Sequence, residues 1–401
     1  MERFTITKDE NNFTFLQEDI TSAIEFRRLL HQYPELSGEE YQTTLRIKEE
    51  LEAHQIPFES VLDTGVTAII EGERPGATIA LRADIDALPI TEQNDVSYKS
   101  KHEGVMHACG HDAHTAMMLA VCKILKRHQH LINGRVIIVF QPSEEDAPIG
   151  GAGPMLDAGV FDTYKPEAIF AQHVWPGLEL GKFGVMAGPI MGNSDRFKIT
   201  VKGKGGHAAQ PHTTVDPVIV TNQIITAIQS IVSRNVDPFD PAVITIGQIN
   251  GGFAPNVIPD NVEIKGSMRS LSDTSRQLMK TRLLNVSNEI ADAHGAEVDV
   301  EIKTGYPATE NDPEWASVVR NVIQETYGDA SVPTLRPSLA GEDFSRFLLE
   351  YPGVYYWLGI DADEPSYPLH HPKFDVNEKA FEYGIDILLK LTVSALNQLN
   401  N

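Results

Sequence analysis

Short apolar runs punctuate the first half of the chain at Thr67–Ile70, Thr78–Leu81, Val136–Phe140 and Ala168–Ala171. Turn or helical segments separate them, which is the pattern of strands buried on both faces of a sheet. Ahead of them, Leu16, Ile20 and Ile24, then Leu45 and Leu51, predict two helices between 16 and 54. His31-Gln-Tyr-Pro34 and Ser37-Gly38 break the pattern between the two. A helix over 113–129 carries Met117, Val121, Ile124 and Leu125 on one side.

From about residue 190 the pattern changes. Asp195 to Lys202 alternates as a half-exposed strand, followed by a helix at 215–234, strands at 242–249 and 261–269, a helix at 272–293 and a strand at 297–303. The order β-α-β-β-α-β matches the ferredoxin-like unit, a complete small α+β domain. We therefore read an α/β chain with an insertion at 190–303, interrupting a larger domain that spans 1–189 and 304–401. The returning part has helices and one strand at Val354–Leu358, and no repeat or low-complexity tract occurs.

A length of 401 residues exceeds what one core usually serves, and 41% hydrophobic content fills two. The formal charge of -23, from 33 Lys and Arg against 56 Asp and Glu, argues against nucleic acid or an anionic membrane as partner. Met1 to Glu10 lacks a cationic segment followed by an apolar core, and no window approaches a membrane span, so a cytoplasmic protein is expected. Cys109 and Cys122 make no disulfide framework, and Cys122 reads as core.

Polar residues fall where the strands end. Asp84 and Asp86 follow one, Glu144 and Glu145 another, and His173 a third, and carboxyl ends of strands are where α/β sites assemble. The segment His107-Ala-Cys109-Gly-His111-Asp112-Ala-His114 crowds imidazoles, a thiol and a carboxylate together, and Leu369-His370-His371 stands near the C-terminus. Cys109, His111, Glu145, His173 and His370 make five candidate ligands, too many for one tetrahedral zinc, so two divalent ions are expected. Cys109 is the candidate bridge, since a coordinated thiol is deprotonated outright.

Adjacent Glu144 and Glu145 cannot both point one way from a regular strand. One carboxylate is expected on metal and the other, Glu144, on the attacking water. His107 and His114 carry two readings, orienting groups behind the ligands or ordinary interior or helix-surface residues. His371 competes with His370. His31, His54, His102, His128, His130 and His294 read as surface residues. In the insertion, Gly203 to His212 is a glycine-rich turn that holds His207 out of the sheet, a candidate donor to an oxyanion. Asn256 and Arg269 offer an amide and a guanidinium suited to a substrate carboxylate, although Arg269 also reads as a surface salt-bridge partner.

Together these residues resemble the dinuclear-metal aminoacylase and carboxypeptidase family, in the branch of hippurate hydrolases, auxin-conjugate hydrolases and N-acyl-L-amino acid amidohydrolases. The resemblance covers nearly the whole chain. It is carried by His31-Gln-Tyr-Pro-Glu-Leu36, Leu81-Arg-Ala-Asp-Ile-Asp-Ala-Leu-Pro89, the Cys109 cluster, Gln141-Pro-Ser-Glu-Glu145, Gly205-Gly-His-Ala-Ala209, Asn256-Val-Ile-Pro-Asp260, Ala340-Gly-Glu-Asp-Phe344 and Leu369-His370. It implies a zinc-peptidase-like catalytic domain, an inserted lid that also dimerises, and a homodimer or higher oligomer. By that likeness Glu144 is the base, His207 stabilises the oxyanion, and Asn256 and Arg269 hold the substrate carboxylate. Two departures stand out. Arg82-Ala-Asp84 replaces the His-x-Asp of many relatives, with His111 taking the missing ligand's place, and His371 stands where close relatives have a small polar residue.

The expected activity is hydrolysis of an N-acyl amino acid, dependent on two ions of zinc, manganese, cobalt or nickel. Alternatives are a dipeptidase or carboxypeptidase, a thiol hydrolase using Cys109 and His111, and a non-catalytic ligand-binding relative.

Overall fold

The computed structural model describes residues 15–362 and 366–401. The polar N-terminal stretch read above as lacking a leader lies outside the described residues. The chain divides into two compact units, one of Met1–Gly188, Glu310–Arg336 and Arg346–Asn401, the other of Pro189–Thr309 and Pro337–Ser345.

In chain order, α1 (Gln17–Gln32) and α2 (Tyr41–Ala53) precede β1 (Phe58–Val61), β2 (Gly65–Glu71) and β3 (Arg74–Asp84). Then come α3 (His111–Arg127), β4 (Asn133–Gln141), α4 (Ala152–Asp157), β5 (Ala168–Glu179), β6 (Phe183–Gly184) and β7 (Gly188–Met191). These are followed by β8 (Asp195–Lys202), β9 (Gly206–His207), α5 (Pro217–Asn235), β10 (Ala242–Gly251), β11 (Val257–Ile258), β12 (Asn261–Ser270), α6 (Asp273–Ala293) and β13 (Glu297–Lys303). The chain ends with β14 (Thr309–Asn311), α7 (Pro313–Tyr327), α8 (Ser345–Leu348), β15 (Gly353–Asp361) and α9 (Ala380–Asn400).

The first unit is built on a mixed sheet in the order β1-β2-β4-β3-β5-β15-β6. Its four central strands, β4, β3, β5 and β15, run parallel. Leu81, Ile138, Phe170 and Tyr356 on one face join α3 and α9 in a single core. Alternate residues such as Ala80, Val139 and Ile169 are buried on the other face, which explains why these strands read as unbroken apolar runs. Among the described residues no helix is long and apolar enough to cross a membrane.

One feature of this sheet positions the site. β5 pairs with β3 only from Ala168 to Ala171, where Arg82 is the last partner, yet β5 continues to Glu179. Beyond Ala171 it keeps β15 alone, with His173 beside Trp357. The edge that β3 leaves free must find other hydrogen-bond partners.

The second unit has its own core and an antiparallel sheet in the order β10-β12-β8-β13. Joined by α5 and α6, these strands follow the ferredoxin-like order. The segment Pro337–Ser345, read above with the larger domain, belongs to this unit. It is held by backbone bonds from Ser338 N–H to the Ile190 carbonyl and from Gly192 N–H to the Ala340 carbonyl.

Candidate metal centre

The free edge of β5 receives the start of α3. Val174 N–H donates to His114 Nε2 at 2.9 Å, and His114 Nδ1 meets Asp84 Oδ1 at 2.6 Å. A ring nitrogen that accepts a backbone N–H carries no proton, so the proton is on Nδ1 and both nitrogens of His114 are committed. His114 thus ties β3, β5 and α3 together, the orienting reading of the two. Gly110 makes the close approach possible: its φ is +86°, and a Cβ there would stand 2.4 Å from Val174 Cγ2. No other residue type fits both conditions.

The five candidate ligands meet at this point. The ligand atoms of Cys109, His111 and Glu145 lie within 4.8 Å of one another. Cys109 Sγ is 3.6 Å from His173 Nε2, and His370 Nε2 is 3.0 Å from Glu145 Oε1. His173 Nδ1 faces the Val174 carbonyl at 2.6 Å, an acceptor only, which leaves the Nε2 lone pair aimed at the thiol. His111 Nδ1 faces Asp86 Oδ1 at 3.0 Å, and its buried Nε2 has no hydrogen-bond partner. Asp86 also accepts Glu145 N–H (2.9 Å) and the Ser37 hydroxyl (2.7 Å) through Oδ2. One carboxylate therefore orients two of the candidate ligands, the outer support that metal-binding histidines usually have.

His370, rather than His371, adjoins the cluster. Its backbone is left-handed (φ +64°) and its N–H bonds the Ala108 carbonyl, 2.8 Å away and next to Cys109. His371 turns aside, stacked on Tyr367 with its Nδ1 accepting from Lys373 N–H. Glu144 is buried, 6% exposed, and follows Ser143, whose φ of +59° ends the strand direction ahead of the glutamate pair.

Asp84, His111, His114 and His173 also gather within ligand distance. The nitrogens of His114 are engaged, however, and Asp84 is paired with Arg82 Nη1 at 2.6 Å, so that group makes the poorer cage. Arg82 itself is buried and reaches Gln141 Oε1.

The electrostatics call for a cation. Burial, then the charges of Glu145, Glu144 and Asp84, push the Cys109 thiol well above its usual range. Burial works against charge on His111, yet Asp84 and Asp86 outweigh it and lift its pKa to about 10. Burial and neighbouring His114 keep His173 neutral, well below the usual value. A set of one thiol, three imidazoles and a carboxylate, buried except at His370 and partly at Glu145, with an orphaned His111 Nε2, fits divalent metal.

Beneath the cluster lies a network that the sequence reading missed. His31 is fully buried, not a surface residue: its Nδ1 is 2.7 Å from Asp112 Oδ2 and its Nε2 is 3.2 Å from Glu92 Oε1. Buried Arg27, one turn earlier on α1, bonds Asp112 Oδ2 at 2.7 Å and Asp375 Oδ1 at 2.6 Å. Burial alone would raise the Asp112 pKa, but Arg27 and His31 hold it far below the usual carboxylate range. The same burial opposes charge on His31, which Asp112 overcomes, raising its pKa. A depressed carboxyl contributes stability above about pH 4, and a raised imidazole below about pH 6.5, so the network contributes fully between those limits. Arg27→Met should cost about 3 kcal/mol at pH 6, the low end for stranding a buried charge because His31 still faces Asp112. Urea unfolding measures this, and a loss below roughly 1 kcal/mol contradicts it. His107 is an interior residue with no hydrogen-bond partner on either ring nitrogen, its pKa brought down to about 4 by desolvation.

In the second unit, β9 pairs with β11, setting His207 opposite Val257, and Ala208 N–H bonds the Asn256 carbonyl. His207 and Asn256 are thus presented together, both exposed. His207 Nδ1 accepts Ala209 N–H at 3.0 Å, leaving Nε2–H free to donate. Arg269 is half-buried and has no ion pair among the described residues, so the salt-bridge reading finds no partner. Burial and nearby Arg196 lower its pKa.

Comparison with known proteins bears on the whole arrangement. The family model described as Peptidase family M20/M25/M40 matches residues 80–394. The chain is 41% identical over 366 residues to thermostable carboxypeptidase 1 of Saccharolobus solfataricus, covering 90% of this chain and 92% of the relative. It is 42% identical over 374 residues to N-acetyl-L-cysteine deacetylase of Bacillus subtilis, covering 93% and 88%. A crystal structure described as a dinuclear metal binding peptidase of the M20 family, also from Bacillus subtilis, superimposes with a TM-score of 0.83 at 35% identity, over 95% of this chain and 99% of that one. The α/β unit is therefore zinc-peptidase-like, and its donor cluster answers to two metal ions. The chain belongs to peptidase family M20/M25/M40 and is a metal-dependent hydrolase of amide bonds.

Proposed function

We propose that this protein cleaves N-acyl-L-amino acids to a carboxylate and a free amino acid, with Cys109, His111, Glu145, His173 and His370 holding two divalent ions. The observation that carries the reading is the joining of the five donors about one thiol, with buried Glu144 near enough for its charge to act on that thiol. The deacetylase relative, named for an N-acetyl amino acid, supports the substrate class. When bound, the ions supply Lewis acidity and a lowered pKa for water.

The chain's own residues do the rest. Glu144 accepts a proton from the attacking water and later delivers it to the leaving nitrogen. His207 donates Nε2–H to the oxygen that gains charge. Asn256 and Arg269 hold the carboxylate of the amino acid, Arg269 as a bidentate donor. His207 and Asn256 come from the same chain or from a second copy in a homodimer or higher oligomer. Zinc, manganese, cobalt and nickel all suit the donor set, and we assign the enzyme to the cytoplasm.

The test is an assay of N-acetyl, N-benzoyl and indole-acetyl amino acids with each of the four metals. Dipeptides belong in the panel because of the carboxypeptidase relative. Release of free amino acid, lost on chelation and restored by metal, is expected. Turnover that survives complete metal removal contradicts the reading and favours a Cys109 nucleophile.

A further inference from the structure

The open face of the second unit's sheet carries a ladder of charges that fails at one rung. Along β8 the residues Phe197, Ile199 and Val201 enter the core under α5 and α6, so Arg196, Lys198 and Lys202 point the other way. Across β13, Lys198 stands opposite Glu301 and bonds it at 2.5 Å, and Lys202 bonds Asp299. Lys198 also faces Lys265 of β12, but each holds an acid, Glu301 and Glu263, which the last rung lacks. Arg196 stands opposite Lys303, with Ser267 of β12 on its other side.

Like charges directly opposed across strands are destabilising. In a chain with 56 acidic and 33 basic residues, acids to relieve them are plentiful, yet neither Arg196 nor Lys303 has an ion pair among the described residues. Asp195, next in sequence, is engaged by Arg276 and Lys280. Arg269, two residues beyond Ser267 on the same face of β12, is a third cation without a carboxylate. It lies diagonal to Arg196, roughly 7 Å apart at the backbone, a span that long side chains close. Gly341 packs against its guanidinium without a side chain, since a Cβ there would sit 3.1 Å from Arg269 Nη1.

We propose that Arg196 and Lys303 form a subsite for a second carboxylate on the substrate, beside Arg269, so that the enzyme favours N-acyl derivatives of acidic amino acids. This rests on the reading that Arg269 receives the carboxylate of an N-acyl amino acid. An anion bridging the corner offsets the repulsion that the empty ladder rung carries. It also relieves Arg269, whose partly buried charge Arg196 disfavours.

The experiment compares kcat/KM on N-acetyl-L-glutamate and N-acetyl-L-alanine for the metal-loaded wild type, Arg196→Ala and Lys303→Ala. The wild type should prefer the glutamate derivative, and each variant should lower the glutamate-to-alanine ratio about tenfold, as expected for losing one charge-assisted hydrogen bond. Melting temperatures should not fall, because each substitution removes a repulsion. An unchanged ratio in both variants, or a wild type that prefers alanine, overturns the subsite. If the wild type hydrolyses no N-acyl amino acid with any of the four metals, the functional reading fails instead. Calorimetric binding of N-acetyl-L-glutamate then decides the subsite: weaker binding to Arg196→Ala than to wild type supports it, and equal binding overturns it.

Discussion

Glu144→Gln should lower kcat by about 10³- to 10⁴-fold while the purified protein keeps the metal content of the wild type. Glutamine preserves the shape and one hydrogen-bond acceptor, so the substitution removes proton acceptance and little else. The expected division of roles rests on Glu145, the carboxylate that meets His370 and is oriented through its own N–H by Asp86. Glu144 is the glutamate we propose for the water. Steady-state kinetics alongside metal analysis give the result. Activity within tenfold of wild type removes Glu144 from the reaction, and loss of metal with activity makes it a ligand.

Cys109→Ala should reduce activity by roughly 100-fold or more, beyond what altering a group behind the ligands costs, with little change in melting temperature. The thiol is the donor that faces both His173 and the His111–Glu145 pair, so its loss separates the two halves of the cluster. Burial and three carboxylates disfavour the thiolate without a cation, so the free thiol is neutral and alanine strands no charge. A cavity the size of one sulfur is the only structural cost. Near-normal activity would show that Cys109 is a buried cysteine and not a bridge.

Much of this site was legible because its chemistry follows strand ends. The apolar runs at 67–70, 78–81, 136–140 and 168–171 lie within β2, β3, β4 and β5, and the polar residues after them mark where a parallel sheet opens. What local pattern could not supply is non-local. Arg27 and His31 lie four residues apart on a helix, which reads as a solvated face, and their partners Asp112, Asp375 and Glu92 are all distant in sequence. The choice between His370 and His371 depends on a left-handed residue tied to the Ala108 carbonyl. His114 takes its role from a backbone N–H that exists because β5 outruns β3. Asp86 was visible as one of two acids after a strand, but its double duty toward His111 and Glu145 needed the fold.

A two-ion centre organised around one thiol should bind metal in a fixed ratio. Metal content per chain, measured by elemental mass spectrometry after loading with zinc or manganese and removing the free ion, tests it most directly in wild type and Cys109→Ala side by side. Two ions per wild-type chain and at most one in the variant are expected. One ion in the wild type, or two retained without Cys109, would contradict it.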